Sequence, residues 1–132
     1  MLWIVDDDPD ETFLVARALR RTAPHISLRT FTDPQEALTA VSRISNPADM
    51  PKLIASDLNM PGWDGIEFFQ QLEDLCLVRA LALPGLVLIT GAIPNDITLR
   101  TQSLHRLLGV ETKPNIPQDL AQVLVRYATF SI

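Results

Sequence analysis

Short, almost wholly apolar runs that stop at a polar residue recur along this sequence, and stretches with helical spacing lie between them. The clearest are residues 2–5 (LWIV), 53–55 (LIA) and 86–89 (LVLI); a more alternating run covers 26–31, and a short fifth precedes Lys113 and Pro114. A strand buried on both faces reads as a continuous apolar run, because neither face meets water. Five such strands alternating with five helices imply an α/β fold: a doubly wound parallel sheet with right-handed crossovers and helices on both faces.

The first helix follows Asp6, Asp7 and Asp8. Pro9 suits its first turn, and Asp10 and Glu11 suit the positive end of its dipole. Leu14, Val15, Ala18 and Leu19 form the inward stripe, with Arg17, Arg20 and Arg21 on the solvated face. The run 26–31 reads as a strand nearer the sheet edge. Asp33, Pro34 and Glu36 open a second helix, which Ala37, Leu38 and Val41 carry inward. A third starts near Asp64 and Gly65, with Ile66, Phe69 and Leu72 at helical spacing; residues 72–85 either extend it or form a long connection. Pro94, Asn95 and Asp96 open a polar fourth helix expected to reach about Leu108. The last helix, from Pro117, carries Leu120, Val123, Leu124 and Tyr127 on one face.

Parallel strands bring their carboxyl ends to one edge, which is where open α/β sheets bind ligands. Asp57 ends the third run, Asp6 and Asp7 the first, Thr90 the fourth and Lys113 the fifth, while Asn59 lies in the loop after Asp57. Carboxylates held together repel one another unless a cation or a lysine joins them. An all-oxygen donor set favours a hard ion, and Mg²⁺ is the usual one where a phosphate is bridged. The candidate ligands are Asp7 and Asp57, with Asp6 holding a metal-bound water and the Asn59 carbonyl completing the set. Asp8 and Asp10 read as helix caps. Lys113 is expected to pair with Asp57; its bond to Pro114 is open to the cis form, which would aim the lysine inward, and to trans, the base state. Thr90 offers a hydroxyl to a phosphoryl oxygen, and Gly91 leaves the approach open.

The 132 residues, 47% hydrophobic and 20% charged, suit one globular domain, expected to span 1–132. A formal charge of −5 argues against nonspecific nucleic-acid binding. The single cysteine, Cys76, excludes an internal disulfide, suits a reducing cytoplasm and reads as an apolar filler. No secretory signal is visible, and the apolar stretch 75–89 is too short and too broken, by Arg79, Pro84 and Gly85, to span a bilayer. Neither direct nucleic-acid binding nor membrane association is expected.

Asp6-Asp7 after the first strand, Asp57 in the form DLNMPGWDG, Thr90 with a small neighbour, and Lys113-Pro114 resemble the receiver (CheY-like) domain of bacterial two-component response regulators. The resemblance covers nearly the whole chain. It implies a flavodoxin-like strand order of 2-1-3-4-5 and phosphoryl acceptance at Asp57 from a sensor histidine kinase or histidine phosphotransfer protein. It further implies Mg²⁺ held by Asp6, Asp7, Asp57 and the Asn59 carbonyl, with Thr90 and Lys113 drawn toward the acyl phosphate. Such a chain is not an enzyme beyond its own phosphorylation and dephosphorylation. No output domain follows Tyr127, so a single-domain regulator is expected, one that docks on a downstream protein or relays the phosphoryl group. A homodimer through helix 4, strand 5 and helix 5 is a further expectation, the polar face of helix 4 (Asn95, Thr98, Arg100, Gln102, Arg106) suiting a switchable contact.

The sequence departs from the family at Val110, where an aromatic usually stands three residues before the lysine, and Ala92 occupies a variable position that tunes phosphoryl lifetime. His25 and His105 read as surface residues, and Trp63 as a loop aromatic beside the site. Three other classes share features of this sequence. A receiver-like interaction module that acts without phosphorylation is kept open by Val110, although every acceptor-site position is intact, which argues against it. An aspartyl-nucleophile phosphohydrolase would need an acid where Asn59 stands. A flavodoxin would need a Ser-, Thr- or Gly-rich phosphate loop in place of residues 6–8.

Overall fold

The computed structural model describes residues 1–130. Strands β1 (Leu2–Val5), β2 (Leu28–Phe31), β3 (Leu53–Asp57), β4 (Gly85–Thr90) and β5 (Leu107–Thr112) alternate with helices α1 (Pro9–Thr22), α2 (Pro34–Ser42), α3 (Gly65–Arg79), α4 (Ile97–Thr101) and α5 (Pro117–Phe130). All strand pairs are parallel, in the order β2-β1-β3-β4-β5. The doubly wound sheet expected from the sequence is therefore present, and the 26–31 run supplies an edge strand.

Alternate side chains of the central strands enter two separate cores. Trp3, Val5, Ile54, Leu86 and Leu88 face Phe68, Phe69 and Leu72 of α3 and Ala37 and Val41 of α2. Leu2, Ile4, Leu53, Ala55, Val87 and Ile89 face Val15, Ala18 and Leu19 of α1 and Leu120, Ala121 and Leu124 of α5. A central strand buried on both faces must be apolar throughout, which is why β1 and β4 show no alternation. Cys76 lies in the first core, and burial, with Glu73 nearby, pushes its thiol up to about 11, so it is a packing residue.

Residues 72–79 extend α3, which settles the open reading of that segment. The helix stops at Ala80, whose φ of 55° is left-handed, and the Leu81 N–H returns to the Cys76 carbonyl at 2.9 Å. Its last residue bridges two elements. The Arg79 guanidinium donates to the carbonyls of Val41 (2.9 Å), Ser42 (2.7 Å) and Ile44 (2.6 Å), filling acceptors at the end of α2, a helix with no basic residue in its own last turn.

Helix α4 corrects the sequence reading, which carried it to about Leu108. It ends at Thr101, and Leu107 and Leu108 belong to β5. Asp96 gives no side-chain cap, and the Thr101 hydroxyl bonds back to the Ile97 carbonyl at 2.7 Å. Stronger partners claim the following residues: Glu73 accepts from the His105 N–H at 2.8 Å, and the Arg106 carbonyl accepts from the Leu86 N–H at 2.9 Å. Sheet pairing thus overrides a weak helical tendency.

Candidate functional site

The carboxyl ends of β1, β3, β4 and β5 meet as the sequence reading required. β1 and β3 are neighbours, and so are β3 and β4, with Asp57 opposite Ile89. The Lys113 N–H donates to the Thr90 carbonyl at 2.6 Å, which ties the ends of β4 and β5 together. The Lys113–Pro114 peptide is trans, so the lysine reaches the site without the cis form.

Two turns set the acids. After β1 the Asp8 N–H donates to Asp6 Oδ1 at 3.0 Å, while Asp8 caps α1 by accepting from the Asp10 and Glu11 amides. The buried Thr12 hydroxyl bonds the Asp8 carbonyl at 2.7 Å and lies 3.3 Å from that of Asp6, fixing the first turn of α1 to the end of the strand. After β3 the chain turns back at once: the Gly65 N–H meets the Leu58 carbonyl at 2.8 Å. A Cβ at Gly65 would lie 2.5 Å from the Asp57 carbonyl oxygen and 2.7 Å from Leu88, so only glycine lets α3 start this close to the acid. Asp64 caps α3 through the Glu67 N–H at 2.9 Å and also pairs with Arg100 of α4. Arg100, read from sequence as part of an exposed polar face, is instead tied to the loop after Asp57.

Carboxylate oxygens of Asp6, Asp7 and Asp57 lie within 4.8 Å of one another. The donor chemistry, hard oxygens at this spacing, fits a divalent cation such as Mg²⁺. Without one the arrangement is electrostatically costly. Burial raises the Asp57 carboxyl above its ordinary value, with Lys113 and the Asn59 amide working against the shift and Asp7 adding to it. Burial likewise pushes Asp6 up to about 7; the Asp8 amide and Lys113 oppose this, while Glu11 and Asp57 reinforce it.

Lys113 reaches three acids, and the nearest is one that sequence reasoning missed. Its Nζ lies 2.8 Å from Glu11 Oε2, but 3.5 Å from Asp57 Oδ2 and 3.6 Å from Asp6 Oδ2. Only the first is a hydrogen bond of ordinary length; the other two are ion pairs across a gap. Burial works against the ammonium, but the Glu11 hydrogen bond and the charges of Asp6 and Asp57 outweigh it and raise the lysine's pKa. Thr90 is fully buried; its hydroxyl donates to the Ala92 carbonyl at 3.0 Å and lies 3.4 Å from the Asn59 side-chain amide. His105 is exposed, as expected, yet not unpaired: its ring Nδ1 is 2.7 Å from Glu73 Oε1. Trp63 and Val110 are half-buried and His25 is exposed.

A cluster of acids and one lysine at the carboxyl edge of a 2-1-3-4-5 parallel sheet is the arrangement expected of a receiver domain. Residues 2–124 match the response regulator receiver domain family, and the chain belongs to it. It is 29% identical over 124 residues to an uncharacterized 14.6 kDa protein in the sodA1 3′ region of Leptolyngbya boryana, covering 94% of this chain and 86% of that one. It is 35% identical over 71 residues to the DNA-binding transcriptional regulator NtrC of Klebsiella pneumoniae, covering 54% of this chain but only 14% of that protein. A two-component response regulator from Legionella pneumophila has the same fold, with a TM-score of 0.77 and 24% identity, covering 97% of this chain and 96% of that one. Receiver domains are signalling modules of two-component systems and interact with histidine kinases or phosphotransfer proteins. Among the described residues no helix is long and apolar enough to cross a membrane.

Proposed function

We propose that this chain is a single-domain response regulator, one domain over residues 1–132, that accepts a phosphoryl group on Asp57. The observation that carries the reading is the placement of the Asp57 carboxylate. It sits with Asp6 and Asp7 oxygens within 4.8 Å and the Lys113 ammonium 3.5 Å away, at the open edge of the sheet. The donor is the phosphohistidine of a sensor histidine kinase or phosphotransfer protein. An Asp57 oxygen attacks phosphorus in line; the P–N bond breaks, its electrons go to the imidazole, and the imidazole takes up a proton as it leaves.

Asp6, Asp7, Asp57 and the Asn59 carbonyl would hold Mg²⁺, which when bound neutralises and orients phosphoryl oxygens. Lys113 neutralises another oxygen by moving from its present partners, and the Thr90 hydroxyl exchanges the Ala92 carbonyl for a phosphoryl oxygen. The acyl phosphate carries about 1.5–2 negative charges where the carboxylate carried one, so up to about one further negative charge enters a site that already strains its acids. That change biases the Thr90 and Lys113 ends of β4 and β5, and with them the surface of α4, β5 and α5, toward a downstream protein or a second copy of the chain. The setting is the cytoplasm, without direct contact to nucleic acid or membrane.

The reading is tested by intact mass after incubation with Mg²⁺ and a small phosphoramidate or acyl-phosphate donor. One base-labile phosphoryl adduct is expected, absent in Asp57→Asn and absent without Mg²⁺. Val110, half-buried where the family usually has an aromatic, favours the second reading, a receiver-like interaction module independent of phosphorylation. A folded protein that never gains the adduct, even with a kinase, would establish that second reading.

A further inference from the structure

We infer that Glu11 is a positioning residue for Lys113: it holds the ammonium away from Asp57 in the resting state, so that phosphoryl acceptance must break the Glu11–Lys113 pair. The inference rests on the proposed role of Asp57 as acceptor and goes beyond it by adding a residue outside the acid cluster. Lys113 lies 2.8 Å from Glu11 and 3.5–3.6 Å from the two buried acids, so its one short contact is to the acid on α1. The Glu11 side chain is 42% exposed, against 12% for Asp57 and 11% for Asp6, so the lysine rests on the solvent side of the cluster.

Glu11 can hold this position because its backbone is fixed. Its N–H is capped by Asp8, and the next residue, Thr12, is buried and bonded to the ends of β1 and the capping turn. A phosphoryl group on Asp57 offers the lysine a doubly charged acceptor in a drier place, which outcompetes a half-exposed carboxylate. The resting contact therefore opposes activation without preventing it. Because one partner is solvated, the opposition is modest and corresponds to a factor of about two to five in affinity.

The test is ¹⁹F-detected titration of the full chain with beryllofluoride, an analogue of the phosphoryl group, at saturating Mg²⁺. Wild type should bind and Asp57→Asn should not; loss of wild-type binding would bring down the acceptor role and this inference with it. Glu11→Gln should bind about twofold to fivefold more tightly than wild type. Glu11→Asp keeps the charge at the start of α1 but shortens the reach, and should also bind more tightly. In a Lys113→Ala background Glu11→Gln should change nothing. Unchanged or weaker binding by Glu11→Gln would overturn the inference. So would a gain confined to Glu11→Gln, which would trace to local charge, or a gain that persists without the lysine.

Discussion

Asp6 shows most directly what the site costs the free protein. Its carboxyl is pushed up to about 7, burial being the main cause, whereas the unfolded chain holds it near 3.8. The native state therefore keeps a proton that the unfolded state has released, and stability falls as pH rises from about 4 to about 7. Asp57 is raised as well and slopes the same way. In Mg²⁺-free buffer the thermal midpoint should drop across that interval. Asp6→Asn should flatten the slope and stabilise the protein at pH 7.5 by on the order of 2 kcal/mol. A midpoint that climbs from pH 5 to 7.5 would contradict this account of the acids. The sequence makes Asp6, Asp7, Asp57 and Lys113 legible as a group because each ends or follows a strand, and parallel strands share an edge. Glu11 was not legible: an acid in a first helical turn is explained by the dipole alone, and its partner lies 102 residues away.

Among the elements, α3 and α4 mark where local pattern gives out. Ile66, Phe69 and Leu72 fix the start of α3, but its last turn carries Leu77 and Val78, which are more than four-fifths exposed, so no apolar stripe marks the end. Tertiary contact extends the helix instead, through Arg79 and the open carbonyls of α2. Arg79→Ala should therefore destabilise by about 1–3 kcal/mol, since charge-assisted bonds to those carbonyls are lost. Ala80→Gly should stabilise by about 1 kcal/mol, because glycine relieves the left-handed backbone at φ 55°. Denaturant midpoints check both, and a stable Arg79→Ala would show that water replaces the guanidinium fully. For α4 the error ran the other way. A polar segment led by Pro-Asn-Asp looks helical for three turns, yet sheet pairing at Arg106 and the Glu73 contact to His105 end it after five residues.

At the scale of the molecule, the fold presents a sheet packed on both faces with its reactive groups at one open edge. Buried strands advertise themselves by composition, so the strand count was legible from the sequence; the strand order came from the family resemblance. The resting partners of Lys113 and Thr90 were not legible, because a motif names residues and not the contacts they hold before the reaction. Those contacts, to Glu11 and to the Ala92 carbonyl, describe a site whose mobile groups are engaged elsewhere until Asp57 changes charge. The most direct test of that central claim is to charge the protein from a phosphohistidine donor in Mg²⁺, reduce it with borohydride, and map the product by peptide mass spectrometry. Reduction of an aspartyl phosphate leaves homoserine, and the account expects it at position 57 alone. Homoserine at another acid, or none in a protein that has consumed the donor, would contradict it.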